Sequence, residues 1–438
     1  MAKKNKPSYN NQCKCSFNVY YTQINQMNPI CLTLTSILAV LALWIAWLTS
    51  KPIAKSLIGQ RSEQALTSLL PPDNEQGNST ITYTSFSPMV NDLLADIHSA
   101  QHHIHIQFFK FETDYIAQRI GNALTEKAAQ GVEVRMMYDD IVNLRNKWYY
   151  RHLAQNGVDV QPFGRTHLPF LRKKDNYRNH RKVVIIDGRI GYIGGMNIAE
   201  RYLNGLDWGT WRDTHMRIEG PASAQLQHAF LADWCNASGQ LLDRPDYFPS
   251  IPHIGNRSIQ IVTSGPIGNG PAIMHRTVQM IDQSQLYIYL ESPYFIPTPQ
   301  VMQSLCNAAQ RGVDVRLLMP ARSDRGVFLL PASMSYAGQA LDAGVKIGLY
   351  RNGFLHAKTI VADDIATFVG SSNIDPRSYL LDLEIGACLH DRNFALEVKQ
   401  QFLADEKQSE YIDRSEWPHR PLRYKAFERI ARLLSPQL

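Results

Sequence analysis

The sequence predicts an α/β protein of two modules with mixed sheets, related by a pseudo-two-fold and preceded by an N-terminal transmembrane helix. Three observations predict it. A compound motif occurs twice at equal internal spacings: His180, Lys182, Asp187, Gly194-Gly195 and Asn197, then His356, Lys358, Asp363, Gly370-Ser371 and Asn373. A second string recurs upstream of each copy, Ala128-Ala129-Gln130-Gly131-Val132-Glu133-Val134-Arg135 against Ala308-Ala309-Gln310-Arg311-Gly312-Val313-Asp314-Val315-Arg316. Finally, Ile30 to Leu48 is an uncharged run rich in Leu, Ile, Ala and Trp, close to the roughly 20 residues that cross a bilayer. A chain of 438 residues, 44% apolar and 19% charged, can bury a core in each of two modules.

In chain order, residues 1–29 read as a polar tail, 30–49 as the membrane helix and 50–80 as a linker. The linker carries the turn signals Pro71-Pro72-Asp73-Asn74 and Gly77-Asn78-Ser79. The apolar run is too long for a cleaved signal peptide, and no A-x-A-like site follows it before Lys51. Lys51, Lys55 and Arg61 lie closer to the run than Lys3, Lys4, Lys6 and Lys14 do. That asymmetry leans toward a single-pass protein of the cell membrane with a cytoplasmic catalytic region. A first module over 81–250 and a second over 251–438 follow. Each opens with a strand, His103 to Lys110 or Leu286 to Leu290. A helix ended by Gly131 or Gly312, another strand and a motif hairpin come next. In the first hairpin, Lys182 to Ile186 and Ile190 to Ile193 flank the turn Asp187-Gly188. A helix from Ser223 to Trp234 and a Pro-rich passage to about Arg257 form the seam. After Trp417, Leu422, Ala426, Ile430, Leu433 and Leu434 recur near helical spacing among Arg423, Lys425, Arg429 and Arg432. Such a basic amphipathic helix suits either an anionic membrane or the catalytic core.

Residues two apart on a strand share a face, so His180 projects with Lys182 and His356 with Lys358. Attack on a phosphodiester through histidine needs a neutral imidazole at phosphorus and a protonated one at the leaving oxygen. Neither half carries both, so the pocket is expected at the interface of the modules. The lysines would hold the non-bridging oxygens, and Asn197 and Asn373 are placed to donate amide hydrogen bonds to them. Asp187 and Asp363 belong to the catalytic motif, but a turn-capping carboxylate at a strand end is an equal reading. The carboxylates are not clustered at ligand spacing and the lysines supply positive charge, so no metal and no cofactor is expected. Six cysteines include no C-x-x-C, and Cys13-Lys14-Cys15 alone makes a poor metal site. His102, His103 and His105 alternate with Ile104 and Ile106 as structural residues of a strand. Arg172, Lys173, Lys174 and Arg178 form a basic run before the first motif, and the formal charge of +6 suits an anionic partner surface.

Further strings accompany the motifs: Phe109-Lys110-Phe111-Glu112, Asn176-Tyr177-Arg178-Asn179-His180, Trp211-Arg212-Asp213-Thr214-His215, Ser292-Pro293-Tyr294-Phe295-Ile296-Pro297, Asp375-Pro376-Arg377-Ser378 and Leu433-Leu434-Ser435-Pro436. From about Ile104 to the C-terminus the chain resembles the phospholipase D superfamily and, within it, the bacterial cardiolipin synthase family. The resemblance implies phospholipase D-like α-β-α modules and a phosphatidyltransferase that joins phospholipids with phosphatidylglycerol as acceptor. It implies a phosphohistidine at His180, His356 as acid and base, and Asp213 and Glu384 as carboxylates orienting the imidazoles. The implied partners are phospholipids, phosphatidylglycerol or phosphatidylethanolamine, and the bilayer rather than nucleic acid. A phospholipase D that hands the intermediate to water shares every catalytic residue, and a nuclease of the superfamily is a further alternative. Asp382, two residues before Glu384, stands where the family often has Asn. Because lysines and amides supply the charge stabilisation, activity is expected to survive EDTA; loss restored by one specific divalent ion would overturn this.

Overall fold

Two sheets built on one plan face each other in the computed structural model, which describes residues 66, 68, 75–164, 176–266, 269–324 and 327–435. The expected span at Ile30 to Leu48, most of the linker and the basic residues Arg172 to Lys174 lie outside the described residues. No helix among the described residues is long and apolar enough to cross a membrane.

The first half supplies strands β1 (Ser79–Tyr83), β2 (His103–Phe108), β3 (Glu133–Asp139), β4 (Asp159–Phe163), β5 (Arg178–Asn179), β6 (Lys182–Ile186), β7 (Ile190–Gly194), β8 (Thr210–Arg212) and β9 (His215–Glu219). The second supplies β10 (Ile259–Ser264), β11 (Tyr287–Glu291), β12 (Asp314–Pro320), β13 (Lys346–Tyr350), β14 (Gly353–Leu355), β15 (Thr359–Ala362), β16 (Ala366–Gly370), β17 (Asp382–His390) and β18 (Ser409–Tyr411). The sheets run β1-β9-β7-β6-β2-β3-β4 and β10-β17-β16-β15-β11-β12-β13-β18. In each, a parallel trio (β2-β3-β4, β11-β12-β13) adjoins an antiparallel motif hairpin (β6-β7, β15-β16). The parallel connections need crossovers, and the repeated string ends one in each half. Asp114 caps the helix Tyr115–Ala129 and Thr298 caps Pro299–Gln310. Gly131 and Gly312 follow them at φ +90°, a conformation that a β-carbon disfavours.

Both faces of the hairpin strands are apolar because each sheet is covered twice. Outer helices pack on one face, through Ile106, Val184 and Ile186 in the first half and Leu290, Ile360 and Phe368 in the second. The inner faces meet in a shared core containing Val183, Ile185, Ile193 and Met216 with Val361, Val369, Ile385 and Ala387. The C-terminal helix Leu422–Leu434 buries Tyr424, Phe427 and Ala431 against the helix Leu329–Ala343. The predicted stripe is therefore not what packs: Leu422 and Leu433 are 79% and 74% exposed, beside Arg423, Arg429 and Arg432.

Each motif aspartate sits at its hairpin turn, at the far end of a strand from its histidine. Lys182 to Asp187 spans roughly 16 Å at the rise of a strand. Asp187 and Asp363 adopt φ of 51° and 53°. The Asp187 carboxylate accepts from the backbone N–H groups of Gln101, His102 and His103 at 2.8–2.9 Å. Asp363 accepts from Gln285, Leu286 and Tyr287 at 2.7–2.9 Å. The catalytic expectation for these two residues is thus corrected to an anchoring one: three amides occupy each carboxylate, pinning the start of β2 or β11 to the turn. Asp187→Ala and Asp363→Ala are each expected to lower stability by about 2–4 kcal/mol. Turnover per folded molecule should be unchanged; melting curves read beside active-site titration test this.

Candidate active site

The short strands β5 and β14 leave the sheets of their own halves and reach across. β5 lies parallel on β17, and β14 lies parallel on β8. Each motif histidine follows such a crossing strand, so its backbone is held by the opposite half. His180 N–H donates to Leu383 O at 2.9 Å, and His356 N–H donates to Arg212 O at 2.6 Å. The next residue on each supporting chain is a carboxylate. His180 Nδ1 lies 2.8 Å from Glu384 Oε1, and His356 Nδ1 lies 2.6 Å from Asp213 Oδ2. The pairing is crossed, although each carboxylate follows the other histidine in sequence. Carboxylates only accept, so the ring proton of each neutral imidazole sits on Nδ1, leaving Nε2 with its lone pair.

Both histidines line one cavity of about 200 Å³ that lies between the halves. Burial lowers both imidazoles to about 4, against the opposing pull of Glu384 on His180 and of Asp213 on His356. Burial likewise lowers Lys182 to about 7 and depresses Lys358. Each lysine ammonium donates to the carbonyl of its own motif histidine. Burial opposes the Asp213 and Glu384 anions, but lysines and imidazole N–H donors hold both below the ordinary carboxylate range.

Asn197 and Asn373 both line the cavity. One Asn197 amide hydrogen goes to the Tyr202 hydroxyl at 3.1 Å, and Asn197 Oδ1 accepts from Lys110 N–H at 3.1 Å. The small-residue pairs serve the carboxylates differently. A β-carbon at Gly195 would stand 2.1 Å from Asp213 Oδ1, whereas Ser371, its counterpart, donates its hydroxyl to Glu384 Oε2. Lys110, Arg201 and Arg377 bring positive charge to the cavity wall, and Asp382 also reaches it. Burial pushes the Asp382 carboxyl well up, with Arg377 opposing at 3.3 Å. Tyr294 lines the cavity while Phe295 is core. His103 and His105 are buried on Gln227, as structural residues. Sequence reasoning missed Arg201 and Tyr202: they follow Asn197 by only a few residues, but no spacing marks them. Tyr202 OH lies 3.4 Å from His356 Nδ1.

A family model described as cardiolipin synthase, PLD-like domain, matches residues 93–234 and again 277–406. The chain belongs to the cardiolipin synthase family. A cardiolipin synthase from Listeria welshimeri is 40% identical over 351 residues, covering 79% of this chain and 72% of that protein. One from Geobacillus kaustophilus is 38% identical over 363 residues, covering 82% and 72%. Among solved structures, a phosphatidylserine synthase from Haemophilus influenzae matches with TM-score 0.65 at 16% identity, covering 87% of this chain and all of that one (100%), a likeness of fold.

Glu384→Gln and Asp213→Asn would each present an amide where Nδ1 needs an acceptor. Each is expected to cost on the order of 10²–10⁴ in kcat with the melting temperature retained. Near-normal turnover in either variant would count against the crossed pairs.

Proposed function

We propose that the chain is a cardiolipin synthase that moves a phosphatidyl group onto the glycerol hydroxyl of phosphatidylglycerol by way of a phosphatidyl-histidine. The observation that carries this reading is the pair of crossed imidazole–carboxylate contacts at one cavity, in a chain of the cardiolipin synthase family. In the first step His180 Nε2 attacks phosphorus and the bond from phosphorus to the headgroup oxygen breaks. That oxygen takes a proton from His356 and leaves as an alcohol. In the second step the acceptor hydroxyl gives its proton to His356 and its oxygen bonds to phosphorus. The P–N bond breaks, cardiolipin leaves, and His180 is restored. The assignment of His180 as nucleophile rests on the family resemblance, since two coupled imidazoles titrate as a pair.

Burial favours the neutral form of both imidazoles. That state suits the nucleophile. An entering phosphodiester adds a negative charge, which favours a proton on His356 with Asp213 behind it. The same anion favours the ammonium forms of Lys182 and Lys358, which burial alone disfavours. Lys110, Arg201 and Arg377 offer a place for the second phosphate of the product. An anchor at Ile30 to Leu48 would hold the cavity at the bilayer, where lipid headgroups are concentrated and water is scarce, which favours transfer over hydrolysis.

Purified protein on phosphatidylglycerol vesicles is expected to yield cardiolipin and free glycerol, with phosphatidic acid minor. Mainly phosphatidic acid at saturating phosphatidylglycerol would replace the synthase reading with a phospholipase. His180→Ala and His356→Ala are each expected to lose on the order of 10⁴-fold or more in turnover, since each removes one member of a unit.

A further inference from the structure

Behind the histidines the two halves carry corresponding polar pairs. In the first half, Gln107 on β2 donates from Nε2 to Asp233 Oδ2 at 2.7 Å. In the second, the Glu291 carboxyl on β11 lies within interaction range of the Asp405 carboxyl. The positions correspond in register: Gln107 pairs with Val183, the residue after Lys182, and Glu291 pairs with Thr359, the residue after Lys358. Asp233 and Asp405 lie on the helices Ser223–Ser238 and Arg392–Glu406. Each aspartate holds an arginine that reaches the active-site strands. Asp233 Oδ1 accepts from Arg181 Nη1 at 2.9 Å, and Arg181 Nε donates to Glu384 O at 3.1 Å. Asp405 Oδ2 lies 2.8 Å from Arg212 Nη2. Arg212 Nη1 donates to Asp213 O at 2.6 Å and to Thr214 Oγ1 at 2.8 Å, and its own carbonyl accepts the His356 N–H.

The correspondence breaks in charge. Gln107 is neutral, whereas Glu291 is a carboxyl group 2% exposed beside a second buried carboxyl group. Two adjoining buried carboxylates sharing one arginine do not both ionise. The oxygens agree. The Thr359 hydroxyl donates to Glu291 Oε2 at 2.6 Å, but Glu291 Oε1 and Asp405 Oδ2 have no aligned donor among the described residues. Asp405 Oδ2 still has the Arg212 charge at 2.8 Å, so the oxygen left without any partner is Glu291 Oε1, and a proton on it directed at Asp405 would satisfy it.

We propose that Glu291 is a protonated positioning residue, donating its carboxyl hydrogen to Asp405 as the Gln107 amide does to Asp233. Asp405, so held, fixes Arg212, and Arg212 fixes the Asp213–His356 pair. The proposal rests on the reading of His356 as acid and base. The charged and titratable groups facing the carboxyl pair are Arg212 at the end of β8, Asp213 beyond it, Tyr350 on β13 and Lys358, which shares a small cavity wall with Glu291. Burial raises the Glu291 carboxyl well above the ordinary carboxylate range, Arg212 opposing and Asp405 adding to the rise. The native protein therefore keeps a proton that the unfolded chain gives up near the ordinary value of 4.5. Stability contributed at this position falls as pH rises from that value toward the raised folded one. Above the folded value the ionised Glu291 repels Asp405, and the hold on Arg212 loosens.

The test compares full-length wild type with Glu291→Gln and Glu291→Leu on phosphatidylglycerol vesicles from about pH 6 to about pH 10, with melting temperatures over the same range. The Gln variant is expected to keep kcat within about 3-fold at neutral pH and to move the alkaline fall in kcat upward by at least about one pH unit. The Leu variant is expected to lose about 10–100-fold in kcat with KM little changed. A Gln variant whose alkaline fall coincides with that of wild type, or whose loss equals that of the Leu variant, overturns the proposal. Should wild type make no cardiolipin, the synthase reading fails instead. Melting then decides on Glu291 by itself: the Gln variant must flatten the decline of melting temperature with pH, and an unchanged decline refutes the shared proton.

Discussion

Each imidazole of the site is held by a carboxylate from the opposite half, and the rest of the architecture follows from that exchange. A buried imidazole alone has no preferred tautomer, and a buried carboxylate alone is costly; each needs the other. Glu384 and Asp213 are fully buried, so they persist as anions only while the donors from across the interface stay in place. This forbids the halves from sliding. It requires β5 and β14 to leave their own halves and lie on β17 and β8. With those strands exchanged, the inner sheet faces meet, and apolar residues from both sides form one core.

Much of this was legible in the chain. The two motif hairpins, the glycine-ended helices and the leading strands were readable because each rests on local rules of alternation, turn chemistry and capping. The crossing was not. Asp213 and Glu384 each follow a histidine closely in sequence, yet their partners lie 143 and 204 residues away. No periodicity carries that information, since the contact depends on how two finished modules dock. Arg201 and Tyr202 were missed for the same reason: the fold brings them to the cavity without any spacing of their own.

Other features were visible in sequence and ambiguous in meaning. Asp187 and Asp363 lie within a phosphate-chemistry motif, which invites a catalytic reading, but their positive φ and three amide partners belong to the turn. The C-terminal helix offers two apolar faces. The aromatic face of Tyr424 and Phe427 found a partner helix, and the aliphatic one of Leu422 and Leu433 remained outside. Side-chain size and shape decided between them, as a count of apolar residues could not.

The unlike small residues beside the two carboxylates limit how far the two halves are interchangeable. Gly195 leaves room for Asp213, the shorter acid, while Ser371 occupies the matching place and bonds Glu384, the longer one. Two copies of the first half would set His180 against an aspartate one methylene too short to reach as Glu384 does. Two copies of the second would set His356 against a glutamate one methylene too long for the space Asp213 fills. The pseudo-two-fold therefore stops at the carboxylates. Each half is fitted to its neighbour: the two share a blueprint but are not spare parts for each other.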